Sequence, residues 1–283
     1  MSIGSNNMPI NTKNNLAKKV SVKQIGEEIR RLVIEMSHRS HSGETGSSLS
    51  ISDLLAVLYF KVMKVDPKKP EDPTRDRFIL SKGHGAAAYY AALALRGYFP
   101  VKKLLGHRVN GGDFHGHPSR GAAPGIEVST GSLGHGLSIA AGMAVALKNT
   151  KSKVYVLIGD GECNEGSIWE AALYIGNAGL PNIIAVIDDN KFQGFSPTKE
   201  TNRFDLGAQW KAFGWKVFLA DGHDPKDIEL KLKAASVLGK PSVVIADTLA
   251  GKGISHIERT LGAHYYVPTE EDLRHANTKK KKL

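Results

Sequence analysis

Apolar residues recur along this chain at two spacings. Val22, Ile25, Ile29, Leu32, Val33 and Met36 fall three or four apart, which predicts a helix with one buried face. A second helix is expected to begin near Ser50, with Ser52 or Asp53 in its first turn, and to run through Leu54, Leu55, Val57 and Leu58 to about Met63. Short unbroken apolar runs then take over. Phe78 to Leu80, Val154 to Ile158, Ile183 to Ile187, 216 to 219 and 242 to 246 read as buried strands. Small-residue helices are predicted at 84 to 95 and 137 to 147, and further helices at about 167 to 177, 205 to 213 and 225 to 236. This alternation predicts an α/β chain of three layers, a mostly parallel sheet with helices on both faces.

Between these elements, Pro67, Pro70 and Pro73 mark a surface loop. Residues 106 to 125 carry many glycines and three histidines without a regular pattern, and a loop that long in a compact domain is more often functional than not. Neither a repeat nor a linker divides the core. The expected organisation is a disordered lead-in over 1 to 20, one domain over 21 to 275, and a basic tail over 276 to 283.

Composition narrows the classes. The chain has 283 residues, 41% of them hydrophobic, which is ample for a packed core. Its single cysteine, Cys163, fits a reducing compartment. No apolar run approaches the roughly 18 residues that span a bilayer, and the first residues lack the apolar core of a signal peptide, so a cytoplasmic protein without a membrane partner is expected. The net charge of +10 is spread along the chain apart from Lys279 to Lys282, which argues against a nucleic-acid partner.

The chemistry concentrates at two strand ends. Gly159-Asp160-Gly161 follows one apolar run and Asn190 follows the next, thirty residues after Asp160. That span accommodates a strand, a crossover helix and a second strand, placing both side chains beyond the carboxyl edge of a parallel sheet. An aspartate and an asparagine can each give an oxygen to a hard cation, and the flanking glycines admit a phosphate close to the backbone. A magnesium-diphosphate site is the expectation; Ca2+ or Mn2+ would suit the same ligands.

The segment from GDG to that asparagine resembles the thiamine diphosphate fingerprint of the transketolase and 2-oxo acid dehydrogenase superfamily. Ser81-Lys82-Gly83-His84-Gly85, Gly116-His117-Pro118 and Ser129-Thr130-Gly131-Ser132-Leu133-Gly134-His135-Gly136 resemble more specifically the separately encoded N-terminal subunit of transketolase, over about residues 22 to 275. The resemblance implies a thiamine diphosphate-binding fold and transfer of a two-carbon ketol unit from a ketose, as sugar phosphate, to an aldose. It implies metal ligation by Asp160, Asn190 and the main-chain carbonyl of Phe192, with Gly161 at the diphosphate. Gly131, Ser132 and Leu133 would cradle the cofactor through backbone groups. His84, His117 and His264 would serve cofactor, donor sugar and hydroxyls, while Glu165 would contact the cofactor and lie with Glu170 near the interface that links two active sites. His107, His115 and His223 are expected to be packing or surface residues.

The resemblance also implies something absent. The glutamate that activates the aminopyrimidine ring belongs to a second domain, so a separately encoded C-terminal subunit is expected to supply it, two copies of each chain forming a heterotetramer. The sequence departs from the family too. Where the family commonly reads Ser-Gly-His-Pro-Gly, this chain reads Ser42-Gly43-Glu44-Thr45-Gly46, and His135 stands where glutamine is usual. A carboxylate at Glu44 would disfavour a nearby phosphate and suit another hydroxyl pattern or an amino group, with His41 in reach as a replacement. Two other readings stay open: the alpha subunit of a 2-oxo acid dehydrogenase, and a noncatalytic protein derived from the fold.

Overall fold

The computed structural model describes residues 20 to 280 apart from Asn202. The expected lead-in, up to residue 19, and the last three residues of the expected tail lie outside the described residues.

The first helix, α1 (Val22–Arg39), opens with a reciprocal cap: Ser21 Oγ accepts from the Gln24 N–H at 3.3 Å while Gln24 Oε1 accepts from the Ser21 N–H at 2.8 Å. Its apolar stripe is buried, as the spacing predicts. The second helix departs from expectation. It begins earlier and breaks at Ile51 into α2 (Thr45–Ser50) and α3 (Ser52–Val57), then ends in a wider π turn over Leu58–Val62. The serines of α2 are fully enclosed, and Ser50 Oγ reaches out of the helix to the side chain of Asp188 at 2.8 Å. Tertiary contact outweighs the weak helix preference of serine there.

Five strands form one sheet in the order β1-β2-β3-β5-β4, with every neighbouring pair parallel. They are β1 (Arg77–Leu80), β2 (Val154–Gly159), β3 (Ile183–Asp189), β4 (Lys216–Asp221) and β5 (Ser242–Asp247). Alternate residues face opposite layers. Ile79, Val156, Ile158, Ala185, Ile187 and Val243 pack with α5 (His135–Ala146), α6 (Gly166–Ala178) and α8 (Leu206–Ala212). Phe78, Leu80, Tyr155, Leu157, Ile184, Val186 and Val244 pack on the other face with α1, α3, α4 (Ala86–Arg96) and α9 (Pro225–Val237). Burial on both faces explains why the strands read as unbroken apolar runs.

Two helices had no counterpart in the reading of the sequence. The four-residue α7 (Thr198–Thr201) is too short to show a period. The last helix, α10 (Glu270–Lys280), runs through the expected boundary at 275 and docks on α1, where Arg31 donates to Asn277 Oδ1 at 3.3 Å. It lacks an apolar stripe but carries a legible start signal: Thr269 and Asp272 cap each other, with Thr269 N–H to Asp272 Oδ2 at 2.8 Å and Asp272 N–H to Thr269 Oγ1 at 3.2 Å.

A buried polar cluster locks the helical layer to the sheet. Arg30 of α1 pairs with Asp53 of α3, and Asp53 Oδ2 lies 2.8 Å from His223 Nδ1. Because His223 Nε2 accepts the Leu249 N–H at 2.9 Å, a neutral ring carries its proton on Nδ1 and donates it to Asp53. Burial alone would raise the Asp53 pKa; His223 and Arg30 outweigh it and hold the carboxyl below its ordinary value. Replacing Asp53 by Asn should leave Arg30 buried without its counter-ion and cost about 3 kcal/mol, read as a fall in the urea midpoint at pH 7.

Candidate active site

The carboxyl ends of β1, β2 and β3 open into one cavity of about 430 Å³. Asp160, first residue after β2, lies on its floor and is 2% exposed. Its Oδ1 accepts the Gly161 N–H at 2.9 Å, and its Oδ2 accepts the Lys191 N–H at 2.9 Å and the Thr198 hydroxyl at 2.7 Å. Burial pushes its pKa up to about 7, the Thr198 hydrogen bond opposes this, and the charges of Asp188 and Asp189 add to the rise. A carboxylate held this way favours a bound cation over exposure to neighbouring negative charge. Asn190 and Phe192 line the same cavity. Among the described residues no cluster of three or more His, Cys, Asp or Glu side chains could hold a metal ion. Asp160, the Asn190 amide and the Phe192 carbonyl, the ligand set that the resemblance implies, offer oxygens of the kind a divalent cation takes, and all three residues line this cavity.

The orientation of Asn190 is set from beneath. Its Nδ2 donates to Asp188 Oδ2 at 2.9 Å, which turns Oδ1 away from that carboxylate and towards the Phe192 N–H at 3.1 Å. Asp188, at the end of β3, is completely buried and also accepts from Lys82 Nζ at 2.5 Å, Ser50 Oγ at 2.8 Å and Thr248 Oγ1 at 2.5 Å. Burial would raise its pKa, but Lys82 and the hydroxyl donors prevail and keep it below the ordinary carboxylate value. Lys82 is 1% exposed and touches the cavity. Neither Lys82 nor Asp188 stood out in the sequence, because their contact joins residues far apart in the chain.

Glu162 performs a similar task on the other side. Its Oε1 accepts from Ser81 Oγ at 2.5 Å and the Gly134 N–H at 2.9 Å, and its Oε2 accepts from the Gly159 N–H at 3.1 Å. It thereby ties the 131 to 134 loop to the ends of β1 and β2. Gly131, Leu133, Gly161 and Glu165 line the cavity. Ser132 does not; its hydroxyl lies 3.4 Å from His135 Nδ1 in a separate shallow cleft, leaving only its backbone for a cofactor. Glu170 is exposed on α6.

His84, His117 and His264 converge on the cavity wall, the rings of His84 and His264 having centroids 5.6 Å apart. His84 is shifted well below the ordinary imidazole value, first by burial and then by Lys82, His264 and His117; His264 is shifted down by burial and by Lys82, with Glu44 opposing. Both rings are neutral at pH 7, each offering one donor and one acceptor. The approach of His264 depends on missing side chains opposite it. A Cβ on Gly43 would lie 2.8 Å from the Tyr265 carbonyl oxygen, and one on Gly46 would lie 2.4 Å from that of Ala263.

Glu44 stands at the cavity rim, but two expectations about it change. It is paired with Arg108, so the rim carries an ion pair and not a bare carboxylate. His41 lines neither the cavity nor its mouth. The residue is exposed in a left-handed turn (φ 47°), and its ring lies near His38 at 6.2 Å. His107 is a packing residue, buried edge-on against Tyr90 at 5.8 Å, and His223 belongs to the Asp53 cluster.

Residues 21 to 281 match the family described as transketolase, thiamine diphosphate binding domain. The 6-deoxy-6-sulfo-D-fructose transketolase subunit SqwG of Clostridium sp. (strain MSTE9) is 42% identical over 258 residues, which are 90% of this chain and 94% of that protein. One of the subunits of the apulose-4-phosphate transketolase of Actinobacillus succinogenes is 42% identical over 247 residues, 86% of this chain and 90% of the relative. The solved transketolase from Leishmania mexicana superposes with a TM-score of 0.87 at 30% identity, covering 92% of this chain and 41% of that one. The chain therefore spans about two fifths of that solved transketolase.

Two outcomes test the floor of the cavity. Cation binding needs the ionised form of Asp160, whose pKa in the cation-free protein is about 7. Calorimetric Mg2+ affinity in the presence of thiamine diphosphate should thus rise from pH 6 through pH 7 and level off at about pH 8. Replacing Lys82 by Met should leave the Asp188 carboxylate buried without a counter-ion, cost about 3 kcal/mol in urea unfolding, and weaken Mg2+ binding through the loosened Asn190.

Proposed function

The chain belongs to the transketolase family through its thiamine diphosphate-binding domain, and from that membership we propose that it is the N-terminal subunit of a two-subunit transketolase. The activity is transfer of a two-carbon ketol unit from a ketose to an aldose. The observation that carries this reading is the convergence of a cation-ready floor and three histidines in one cavity at the ends of β1 to β3. Thiamine diphosphate, when bound, supplies the thiazolium carbon at which the two-carbon fragment is carried.

This chain's residues have separate tasks. Asp160, Asn190 and the Phe192 carbonyl would hold Mg2+, with Gly161 beside the diphosphate and the backbone of Gly131, Ser132 and Leu133 against the rings. The neutral imidazoles of His84 and His264 can each accept a proton from one sugar hydroxyl while donating to another, and His117 stands between the cavity and its mouth. Gly131 and Leu133 on one side and His264 and Tyr265 on another wall the cavity, and such walls would restrict water around the reacting carbons.

A C-terminal subunit would supply the glutamate for the aminopyrimidine ring, with two copies of each chain in the assembly. The exposed Leu173 and Tyr174 of α6, one turn along the helix from Glu170, offer apolar surface for its seating. The two subunits named above act on a sulfonated and a phosphorylated sugar, and a sugar bearing such an anionic group is the proposed substrate here. A cytoplasmic location, expected from the sequence, belongs to the same proposal; among the described residues no helix is long and apolar enough to cross a membrane.

Calorimetric titration of thiamine diphosphate with Mg2+, into the chain alone and with a candidate C-terminal subunit, tests the proposal. Binding should appear or tighten with the partner, and the mixture should transfer a ketol unit. Absence of binding in both titrations would overturn the cofactor assignment.

A further inference from the structure

The ring of His264 reaches the cavity without a hydrogen bond to fix it. Among the described residues its ring neighbours are Tyr265, edge-on at 4.6 Å, and His84 at 5.6 Å. The direction of the imidazole is therefore set by the backbone that carries it, and that backbone runs between two supports. On one side Ala263 is fully buried, its carbonyl so close to Gly46 that a side chain there is excluded, a contact without directional preference. On the other side stands Tyr266, which does not line the cavity. Its N–H meets the Ala263 carbonyl at 3.5 Å, so both supports and His264 belong to one turn.

The directional support lies in the Tyr266 hydroxyl. It donates to Asp272 Oδ2 at 2.7 Å, and the same oxygen accepts from the Thr269 N–H and Oγ1, each at 2.8 Å. Burial would raise the Asp272 pKa; the Tyr266 hydroxyl and the Thr269 donors outweigh it and hold the carboxyl below its ordinary value. At pH 7 this carboxylate only accepts, so the one hydroxyl proton of Tyr266 points to it. His256 Nε2, 2.8 Å from the Tyr266 oxygen, is then a donor to it. Asp272 lies in the first turn of α10, which α1 fixes through Arg31 and Asn277. Pro268 is tied to α1 as well, its carbonyl 2.9 Å from His38 Nδ1.

We propose that Tyr266, held by Asp272, is a positioning residue for His264, so that helix α10, outside the cavity, sets the direction of a cavity imidazole. The proposal rests on the transketolase reading, in which His264 exchanges protons with sugar hydroxyls, and deepens it. Proton exchange requires both reach and aim, and a misplacement of about 1 Å can cost about a hundredfold in rate.

The test compares wild type, Tyr266→Phe, Asp272→Asn and Thr269→Val, each reconstituted with the C-terminal subunit, thiamine diphosphate and Mg2+. Tyr266→Phe keeps the ring and the α10 cap but removes the link; it should lower kcat about tenfold, with KM and cofactor affinity within about twofold of wild type. Asp272→Asn keeps an oxygen for Tyr266 and should retain kcat. Thr269→Val loosens the cap alone and should lower the urea midpoint without lowering kcat. In a His264→Asn background Tyr266→Phe should have no further effect, because the two residues act as a unit. Unchanged kcat in Tyr266→Phe, an equal loss in Thr269→Val, or a loss that persists in the His264→Asn background overturns the proposal while the transketolase reading stands. In a second arm the His264 ring is followed in proton–nitrogen correlation spectra of the full chain, its signal identified by its loss in His264→Asn. Tyr266→Phe should shift or broaden that signal, and Thr269→Val should not. If the wild-type pair transfers no ketol unit, the transketolase reading fails and this arm decides: a His264 signal unmoved by Tyr266→Phe overturns the positioning role. Should Tyr266→Phe not fold, Asp272→Ala takes its place in both arms with the same expectations.

Discussion

A single buried carboxylate holds the catalytic end of this domain together. Asp188 receives Lys82 from the end of β1, Ser50 from α2, Thr248 from the end of β5 and Asn190 from its own strand. Four segments that diverge elsewhere are pinned at one point beneath the cavity. A fully buried carboxylate is costly to keep unless all its oxygen lone pairs are engaged, so the four partners and the charge are mutually dependent. The geometry of Asn190, and with it the cation floor, follows from that dependence.

Electrostatics divides the site into zones. Carboxylates sit in the floor, where Lys82 neutralises Asp188 and hydrogen bonds to Glu162 oppose the upward push that burial gives its pKa. Above them His84 and His264 are kept neutral by the burial and the lysine charge that surround them. Charge returns at the rim with Glu44 and Arg108. A reacting sugar would meet fixed charge at its two ends and adaptable imidazoles along its middle, a distribution suited to proton exchange at hydroxyls without permanent ions close by.

The parts of this arrangement that were legible in the sequence share a local cause. Apolar runs announced the strands because both faces of the sheet are covered, and Asp160 and Asn190 were visible because they follow those runs directly. His84 and His117 stood in short glycine-rich motifs. Lys82, Asp188, Thr248 and Arg108 were invisible for the opposite reason: each matters through a partner 60 or more residues away, and a lone charged or hydroxyl residue carries no period. The break at Ile51 belongs to the same class, since the serines of α2 answer to Asp188 more than to their own helix. The cap of α10 was a local signal overlooked, Thr269 and Asp272 standing three apart.

Glu44 and Arg108 both occupy left-handed backbone, with φ of 65° and 52°. For residues other than glycine that conformation costs on the order of 1 kcal/mol each, and the surrounding chain sustains it: Glu44 immediately precedes α2, and the Arg108 N–H is held by Phe114. The mount is thus separable from the head it carries. A different side chain at position 44 would inherit the same location over the cavity, since the backbone is set by Gly43, Gly46 and the helix that follows. Such a socket lets a lineage of related domains exchange one recognition group for another while the floor beneath stays untouched, so selectivity can drift without the fold having to move.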